Sequence, residues 1–142
     1  MDWFIHKEKK AAEGRQEVPP KKLLVIDDEE GFGQMVKWSL DATGTYEVRF
    51  ETKAAQALNT IRVYRPDLIL LDMVMPEIDG VTLACQIKSD PALKDIPIIF
   101  VTATVTAEEV LAGSGVLGGQ FFIAKPVSMD ELVSCIKEHL PH

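Results

Sequence analysis

From residue 21 onward, short apolar runs alternate with stretches in which apolar residues have helical spacing. The apolar runs, which are typical of strands, occupy residues 23–26, 46–50, 68–71, 98–101 and 121–124. Four of these five runs are continuously apolar, as expected for strands that are covered on both faces in a parallel sheet. The run at 46–50 alternates in character instead, so we expect it at an edge of the sheet.

Apolar stripes with helical spacing fill the intervals between and after these runs. Four clear stripes are present: Phe32, Met35, Val36 and Leu40; Ala54, Ala57, Leu58 and Ile61; Leu83, Ala84 and Ile87; and Met129, Leu132, Val133, Ile136 and Leu140. A weaker helix is predicted at 107–112, and the glycine-rich stretch after it is expected to be the most mobile region. Capping boxes at 106–109 and 128–131 mark the starts of the last two helices.

The order of these elements predicts the fold class. Strands and helices alternate five times, and right-handed crossovers between parallel strands place helices on both faces of one sheet. We therefore predict an α/β fold, a doubly wound five-stranded parallel sheet in a three-layer α/β/α sandwich, formed by residues 21–142. Residues 1–20 are a polar extension that ends in Pro19-Pro20. We expect it to be flexible, with a docking role through the apolar residues 3–5 left open.

Length and charge narrow the function classes. The 142 residues suit one domain, and 15 basic against 22 acidic residues give a net charge of −7. The whole excess lies in residues 21–142, because residues 1–20 hold four groups of each sign. An acidic domain is poorly suited to nonspecific binding of nucleic acid or anionic membranes. We therefore expect neither a nucleic-acid partner nor a membrane partner for this domain.

Apolar run length and cysteine use indicate a cytoplasmic protein. The longest apolar runs have about six residues, too short to cross a membrane, and residues 3–5 are too short to be the core of a signal peptide. Cys85 and Cys135 belong to no CxxC pair, and both fall within apolar helical patterns. We therefore predict that both are small buried apolar residues in a reducing compartment.

Polar side chains follow four of the five predicted strands. Asp27 and Asp28 come after the first strand, Asp72 after the third, Thr102 after the fourth and Lys125 after the fifth. In open parallel sheets, sites form outside the carboxyl ends of the strands, where these residues meet. Loops are generally polar, which would explain any one of these residues, but it explains less well this selection of carboxylates, hydroxyl and ammonium.

The residue types at this edge predict phosphoryl chemistry with a hard cation. Two carboxylates about 4 Å apart repel by roughly 4 kcal/mol at surface-like dielectric, so a cluster favours a neutralising ion. Oxygen ligands favour Mg²⁺, and the three histidines, at 6, 139 and 142, are too close to the termini for a core zinc site. A hydroxyl and an ammonium beside the ion suit a phosphoryl group, and a carboxylate can accept one as an aspartyl-phosphate. The chain has no GxxxxGK or GxGxxG nucleotide motif.

Four motifs in order resemble the receiver domains of two-component response regulators. They are Asp27-Asp28, the sequence Asp-x-x-Met-Pro-x-x-Asp-Gly at residues 72–80, Thr102-Ala103 and Lys125-Pro126. Each motif is weak alone, but the four together are highly specific, and the resemblance extends over residues 21–141. It implies a flavodoxin-like strand order of 2-1-3-4-5.

The resemblance also implies the roles of the acids. Asp72 matches the phosphoacceptor of the family and contributes to the metal site. Asp28 matches the acid that binds Mg²⁺ directly, and Asp27 matches its partner, which often acts through water. The backbone carbonyl of Val74 would be the remaining protein ligand of Mg²⁺.

The remaining matched residues concern the phosphoryl group and the switch. Thr102 and Lys125 match residues that contact phosphoryl oxygens, and the bond from Lys125 to Pro126 would be a cis peptide. Phe122 matches the switch aromatic, although its apolar neighbours equally fit simple core packing. In the family, Thr102 moves toward the phosphoryl group and the aromatic rotates into the vacated space. The surface of the fourth helix, fifth strand and fifth helix then changes.

The resemblance implies a signalling domain rather than a turnover enzyme. We expect it to stand alone, because only 17 residues follow Lys125, although a longer parent with an output domain stays open. Its expected partners are a histidine kinase or phosphotransfer protein and an unknown downstream protein, with a phosphorylation-dependent dimer also open. Val74 and Thr104 depart from the family, which often has polar side chains there to position a hydrolytic water. We therefore expect slow self-dephosphorylation.

Two alternative functions share part of this residue pattern. A phosphatase of the haloacid dehalogenase type also uses a strand-end aspartate, Mg²⁺, a hydroxyl and a lysine, but it carries a second aspartate where this chain has Val74, and this chain has no cap domain. A degenerate receiver that binds partners without phosphorylation fits less well, because the four matched residues are intact, namely Asp28, Asp72, Thr102 and Lys125.

Overall fold

Strands at the centre of the molecule form one sheet with helices on both faces. The computed structural model describes residues 18–103, 116–117 and 120–140. Within that part of the chain the strands are β1 (Lys21–Ile26), β2 (Tyr46–Glu51), β3 (Leu68–Leu71), β4 (Ile98–Thr102), β5 (Val116–Leu117) and β6 (Gln120–Ala124). The predicted helix at 107–112, its capping box, Thr104 and most of the N-terminal extension lie outside the described residues.

The sheet confirms the predicted topology and adds one short strand. Its order is β2-β1-β3-β4-β6-β5, and the five strands predicted from the sequence are parallel. Their order is 2-1-3-4-5 when β6 is counted as the fifth, and the alternating strand β2 lies at an edge as expected. The additional strand β5 pairs antiparallel with β6. Because β5 has only two residues, it is too short to show any periodicity in the sequence.

The helices follow the predicted apolar stripes. They are α1 (Glu30–Asp41), α2 (Ala57–Tyr64), α3 (Gly80–Ser89) and α4 (Met129–His139), and a 3₁₀ turn (Ala54–Gln56) precedes α2. Each helix directs part of its stripe inward, and the buried stripe residues are Val36, Leu40, Ala54, Ala57, Ile61, Leu83, Ala84, Ile87, Leu132 and Ile136. None of the helices in the described part of the chain is long and apolar enough to cross a membrane.

Two apolar cores, one on each face of the sheet, confirm the three-layer sandwich. Successive side chains of a strand point to opposite faces. In β1, Leu24 and Ile26 pack on the side of α2 and α3, whereas Leu23 and Val25 pack on the side of α1 and α4. Because both faces are covered, the central strands are apolar throughout, and their carboxyl ends are held in a fixed position relative to one another.

Two helix starts are set by side-chain caps. The Ser128 hydroxyl accepts a hydrogen bond from the Glu131 backbone N–H at 3.1 Å, which confirms the predicted cap of α4. The Asp79 carboxylate accepts one from the Thr82 backbone N–H at 2.7 Å and caps α3. This cap fixes the end of the loop that leads from Asp72 into α3.

The prediction of two buried cysteines is wrong. Cys85 is exposed and Cys135 is only half-buried. The inward face of α3 is formed by Leu83 and Ile87, and a residue two positions after Leu83 lies about 200° around the helix, on the solvent side. Cys135 lies at the margin of the α4 stripe, where it still packs against the core on that face.

Candidate functional site

The polar residues after the parallel strands are held at one edge because the backbone pairing continues past the strand ends. The Asp27 N–H donates to the Glu51 carbonyl at 3.1 Å, and the Asp72 N–H donates to the Ile26 carbonyl at 2.9 Å. On the other side, the Lys125 N–H donates to the Thr102 carbonyl at 3.0 Å. These bonds fix the starting points of the side chains that the sequence predicted to meet here.

Three carboxylates meet at the centre of this edge. Asp27, Asp28 and Asp72 each offer an oxygen, and the three oxygens lie within 4.8 Å of one another. Asp27 and Asp72 are buried, whereas Asp28 is exposed. Burial is the largest cause that raises the pKa of Asp27, the neighbouring charge of Asp72 adds to it, and a hydrogen bond from Lys125 works against it. An all-oxygen donor set with this mutual repulsion fits Mg²⁺, which prefers carboxylate ligands.

The Lys125 ammonium lies beside the carboxylate cluster. Its Nζ is 2.6 Å from Asp27 Oδ2 and 2.9 Å from Glu29 Oε1, and it lies 4.6 Å from the centre of the Phe32 ring. Burial, the largest single cause, lowers the pKa of this lysine, but the hydrogen bonds to Asp27 and Glu29 and the charges of Asp27 and Asp72 act against it, and the pKa is raised. The bond from Lys125 to Pro126 is cis, as predicted.

Thr102 and Phe122 lie on neighbouring strands, with Thr102 paired to Ala124 at the carboxyl end and Phe122 paired to Phe100 two residues earlier. Thr102 is the last residue of β4 and is fully buried, with exposed Ala103 directly after it. Phe122 is buried in β6, and its ring stacks on Phe100 with 5.0 Å between the ring centroids. Phe122 therefore takes part in the core packing that the sequence allowed, at the position matched to the switch aromatic.

The loop after Asp72 approaches the site closely and needs a glycine. The Val74 N–H lies 3.4 Å from Asp72 Oδ1, and the Val74 side chain is 56% exposed. The Gly80 N–H donates to the Met73 carbonyl at 2.7 Å, and a methyl group at Gly80 would overlap the backbone of Asp72 and Met73. The role of the Val74 carbonyl as a metal ligand stays a prediction.

Two residues of the site were not identified from the sequence. Glu29 belongs to none of the motifs identified in the sequence, although its position directly after Asp27-Asp28 at a strand end could have indicated it. Phe32 was assigned to the core stripe of α1, and only the fold brings its ring to Lys125. Both residues line a cleft of about 410 Å³ beside the site, together with Met35, Ala103, Lys125, Pro126 and Val127.

Fold and site together define a class of protein. A parallel sheet in the order 2-1-3-4-5, with three acids, a threonine and a lysine before a cis-proline at its carboxyl edge, is the arrangement of a two-component signalling domain. The sequence matches the response regulator receiver domain family over residues 23–137. The chain therefore belongs to that family and is the receiver domain of a two-component response regulator.

Individual relatives agree with the family assignment. The chain is 33% identical over 122 residues to the polar-differentiation response regulator DivK of Brucella anthropi, covering 85% of this chain and 97% of DivK. It is 38% identical to the phosphate regulon transcriptional regulatory protein PhoB of Pseudomonas aeruginosa, where the match covers 82% of this chain but 50% of PhoB. The crystallised chemotaxis protein CheY4 of Vibrio cholerae matches with a TM-score of 0.72 and 27% identity, covering 85% of this chain and 99% of CheY4.

Proposed function

We propose that the domain accepts a phosphoryl group on Asp72 from a phosphohistidine of a histidine kinase or phosphotransfer protein. The observation that carries this proposal is the convergence of Asp27, Asp28 and Asp72 within 4.8 Å, with the Lys125 ammonium 2.6 Å from Asp27. Such a cluster brings together a carboxylate nucleophile, ligands for a hard cation and a positive charge for an anionic group. Membership of the receiver family supports the same reading.

The transfer would form one bond and break one. An Asp72 carboxylate oxygen attacks the phosphorus, and the bond between phosphorus and the imidazole nitrogen of the donor breaks as that nitrogen takes the electron pair. Asp27, Asp28, Asp72 and the Val74 carbonyl would hold Mg²⁺, which supplies charge neutralisation to the phosphoryl oxygens when bound. Thr102 and Lys125 would donate hydrogen bonds to those oxygens.

Phosphorylation would be read out through a change in packing. In the structure, Phe122 of β6 stacks on Phe100 of β4, the strand that ends in Thr102. We infer that Thr102 moves toward the phosphoryl group and that Phe122 follows into the space it leaves. The altered face would comprise the predicted helix at 107–112, β6 and α4, and a downstream protein or a second copy of the domain would bind it.

A binding experiment tests the proposed function. Mg²⁺ and beryllofluoride, which mimics an aspartyl-phosphate, are added to the labelled domain, and amide NMR shifts and the fluorescence of Trp3 and Trp38 are followed. We expect a response in the wild type that is lost in Asp72→Ala. Turnover of small phosphate esters would favour a phosphatase instead, and no response at all would favour a degenerate binding module.

A further inference from the structure

Glu29 makes an ion pair at the edge of the site that the proposed phosphoryl transfer does not use. Its Oε1 is 2.9 Å from Lys125 Nζ, and the two side chains differ sharply in exposure, 66% for Glu29 and 12% for Lys125. The Phe32 ring lies 4.6 Å from the same ammonium. The lysine is thus held between a buried acid, an exposed acid and an aromatic ring.

The hydrogen bonds of Lys125 go to acids other than Asp72, the proposed phosphoacceptor. An ammonium has three donors, and in the described part of the chain Lys125 gives hydrogen bonds to Asp27 and Glu29 but none to Asp72. A phosphoryl group on Asp72 adds negative charge where this ammonium is needed. A shift of the ammonium toward the phosphoryl oxygens would lengthen its 2.9 Å contact with Glu29, so Glu29 opposes that shift.

We propose that Glu29 is a positioning residue that holds the Lys125 ammonium on the solvent side of the carboxylate cluster and yields it to the phosphoryl group. This inference rests on the proposed function, since it concerns how the same site responds to phosphorylation. The ion pair between Glu29 and Lys125 must weaken before the lysine contacts the phosphoryl group. The charge of Glu29 also partly neutralises the lysine beside the Mg²⁺ ligands.

Removal of the Glu29 charge has two effects of opposite sign. Lys125 loses a competitor of the phosphoryl group, so an anionic analogue on Asp72 binds more tightly. The same lysine is then less neutralised and repels a cation more strongly, so Mg²⁺ binds more weakly. A general loss of stability would weaken both ligands, and therefore the opposite signs distinguish positioning from a structural role.

Glu29→Gln tests the proposal, with Glu30→Gln as the matched control. Both variants remove one negative charge from neighbouring exposed positions, but Glu30 makes no contact with Lys125 in the described structure. Each protein is titrated with Mg²⁺ and then, at saturating Mg²⁺, with beryllofluoride, and amide NMR shifts are followed. For Glu29→Gln we expect about two- to fivefold tighter beryllofluoride binding and a Mg²⁺ dissociation constant raised by a similar factor, the range of a partly exposed ion pair. Equal urea midpoints confirm that all three proteins are folded.

The outcomes separate this inference from the proposed function. If Glu29→Gln behaves like Glu30→Gln in both titrations, or binds beryllofluoride more weakly than the wild type, the role of Glu29 is overturned while phosphoryl acceptance stands. If the wild type does not respond to beryllofluoride at saturating Mg²⁺, both are overturned. Opposite shifts confined to Glu29→Gln support the proposal.

Discussion

At the scale of single residues, Asp27 and Lys125 show how the site balances burial against charge. The pKa of Asp27 is raised because burial outweighs the lysine contact, whereas the pKa of Lys125 is raised because three acids, Asp27, Glu29 and Asp72, together outweigh burial. Burial prevails at Asp27, which has one lysine and the like charge of Asp72 beside it, but not at Lys125, which has three carboxylates near it. A bound cation would favour the charged form of Asp27.

Val74 is expected to control the lifetime of the phosphoryl group. Val74 is 56% exposed and its N–H donates to Asp72 Oδ1 at 3.4 Å, so a polar side chain here would reach water near Asp72. We predict that Val74→Asn loses the phosphoryl group about two- to tenfold faster, which corresponds to one net hydrogen bond. Decay of the phosphorylated protein after removal of the donor measures the rate.

Val74→Ala is the control for this prediction, because it opens space without adding a hydrogen-bonding group. Equal acceleration in Val74→Ala and Val74→Asn would show that access, not hydrogen bonding to water, sets the rate. An unchanged rate in Val74→Asn would contradict the proposed role of this position.

The two cysteines are expected to differ in reactivity. Cys85 is exposed, whereas burial, aided by the charge of Glu138, raises the pKa of Cys135 to about 11. Because the thiolate is the reactive form, we predict that one thiol reacts rapidly with a disulfide reagent at pH 8 and one slowly. Cys85→Ala should remove the rapid phase and Cys135→Ala the slow one. If Cys135→Ala removed the rapid phase instead, the described packing of α4 would be contradicted.

At the scale of elements, a strand or helix could be predicted from the sequence only where enough residues carry its apolar pattern. The parallel strands could be predicted because continuous apolar runs between helical stripes occur when both faces are covered. Strand β5 could not, since two residues carry no period. Cys85 lies within the apolar segment of α3 but on its solvent side, and position in a segment alone does not show which face a residue occupies.

The loop between Asp72 and α3 should not tolerate a side chain at Gly80. An added methyl group would lie 2.8 Å from the Met73 Cα and would overlap the Asp72 carbonyl even more closely. We predict that Gly80→Ala destabilises the domain by about 1–3 kcal/mol, the usual result of overpacking, and displaces Asp72. Urea unfolding measures the first effect and beryllofluoride binding the second.

Gly31→Ala is the matched control in α1, where nothing lies within 4 Å of the added methyl group. We expect this variant to be neutral or more stable by up to about 1 kcal/mol, because alanine favours helix. If both glycine variants had the same stability, the close approach at Gly80 would be contradicted.

The cap of α3 should make stability depend on pH. The hydrogen bond from the Thr82 backbone N–H lowers the pKa of Asp79, so the ionised carboxylate is preferred in the folded state. Its contribution is therefore complete above the unfolded pKa and is lost as the pH falls through the lowered folded pKa. We predict that Asp79→Ala is less stable than the wild type at neutral pH and that the difference in urea midpoint shrinks in acid.

Asp79→Asn separates capping from charge, since an amide oxygen still accepts the Thr82 N–H but does not titrate in this range. This variant should retain much of the stability with a weaker dependence on pH. A difference between wild type and Asp79→Ala that stays constant from neutral pH into acid would contradict the role of the carboxylate.

At the scale of the whole molecule, the sheet explains why much of the site could be predicted. Parallel strands deliver their next residues to one edge, so the order of strands was enough to bring Asp27, Asp72 and Lys125 together. Glu29 and Phe32 were missed because their contacts depend on where α1 begins relative to β6. Of the acidic residues of the chain, Asp27, Asp28 and Asp72 form the cluster at the candidate site.

The most direct test of the central claim is the intact mass of the domain after incubation with acetyl phosphate and Mg²⁺. We predict that the wild type gains the mass of one phosphoryl group, that peptide mapping places it on Asp72, and that chelation of Mg²⁺ prevents the gain. Asp72→Asn should stay unmodified under the same conditions. An unmodified wild type, or equal modification of Asp72→Asn, would contradict the assignment of Asp72 as the phosphoacceptor.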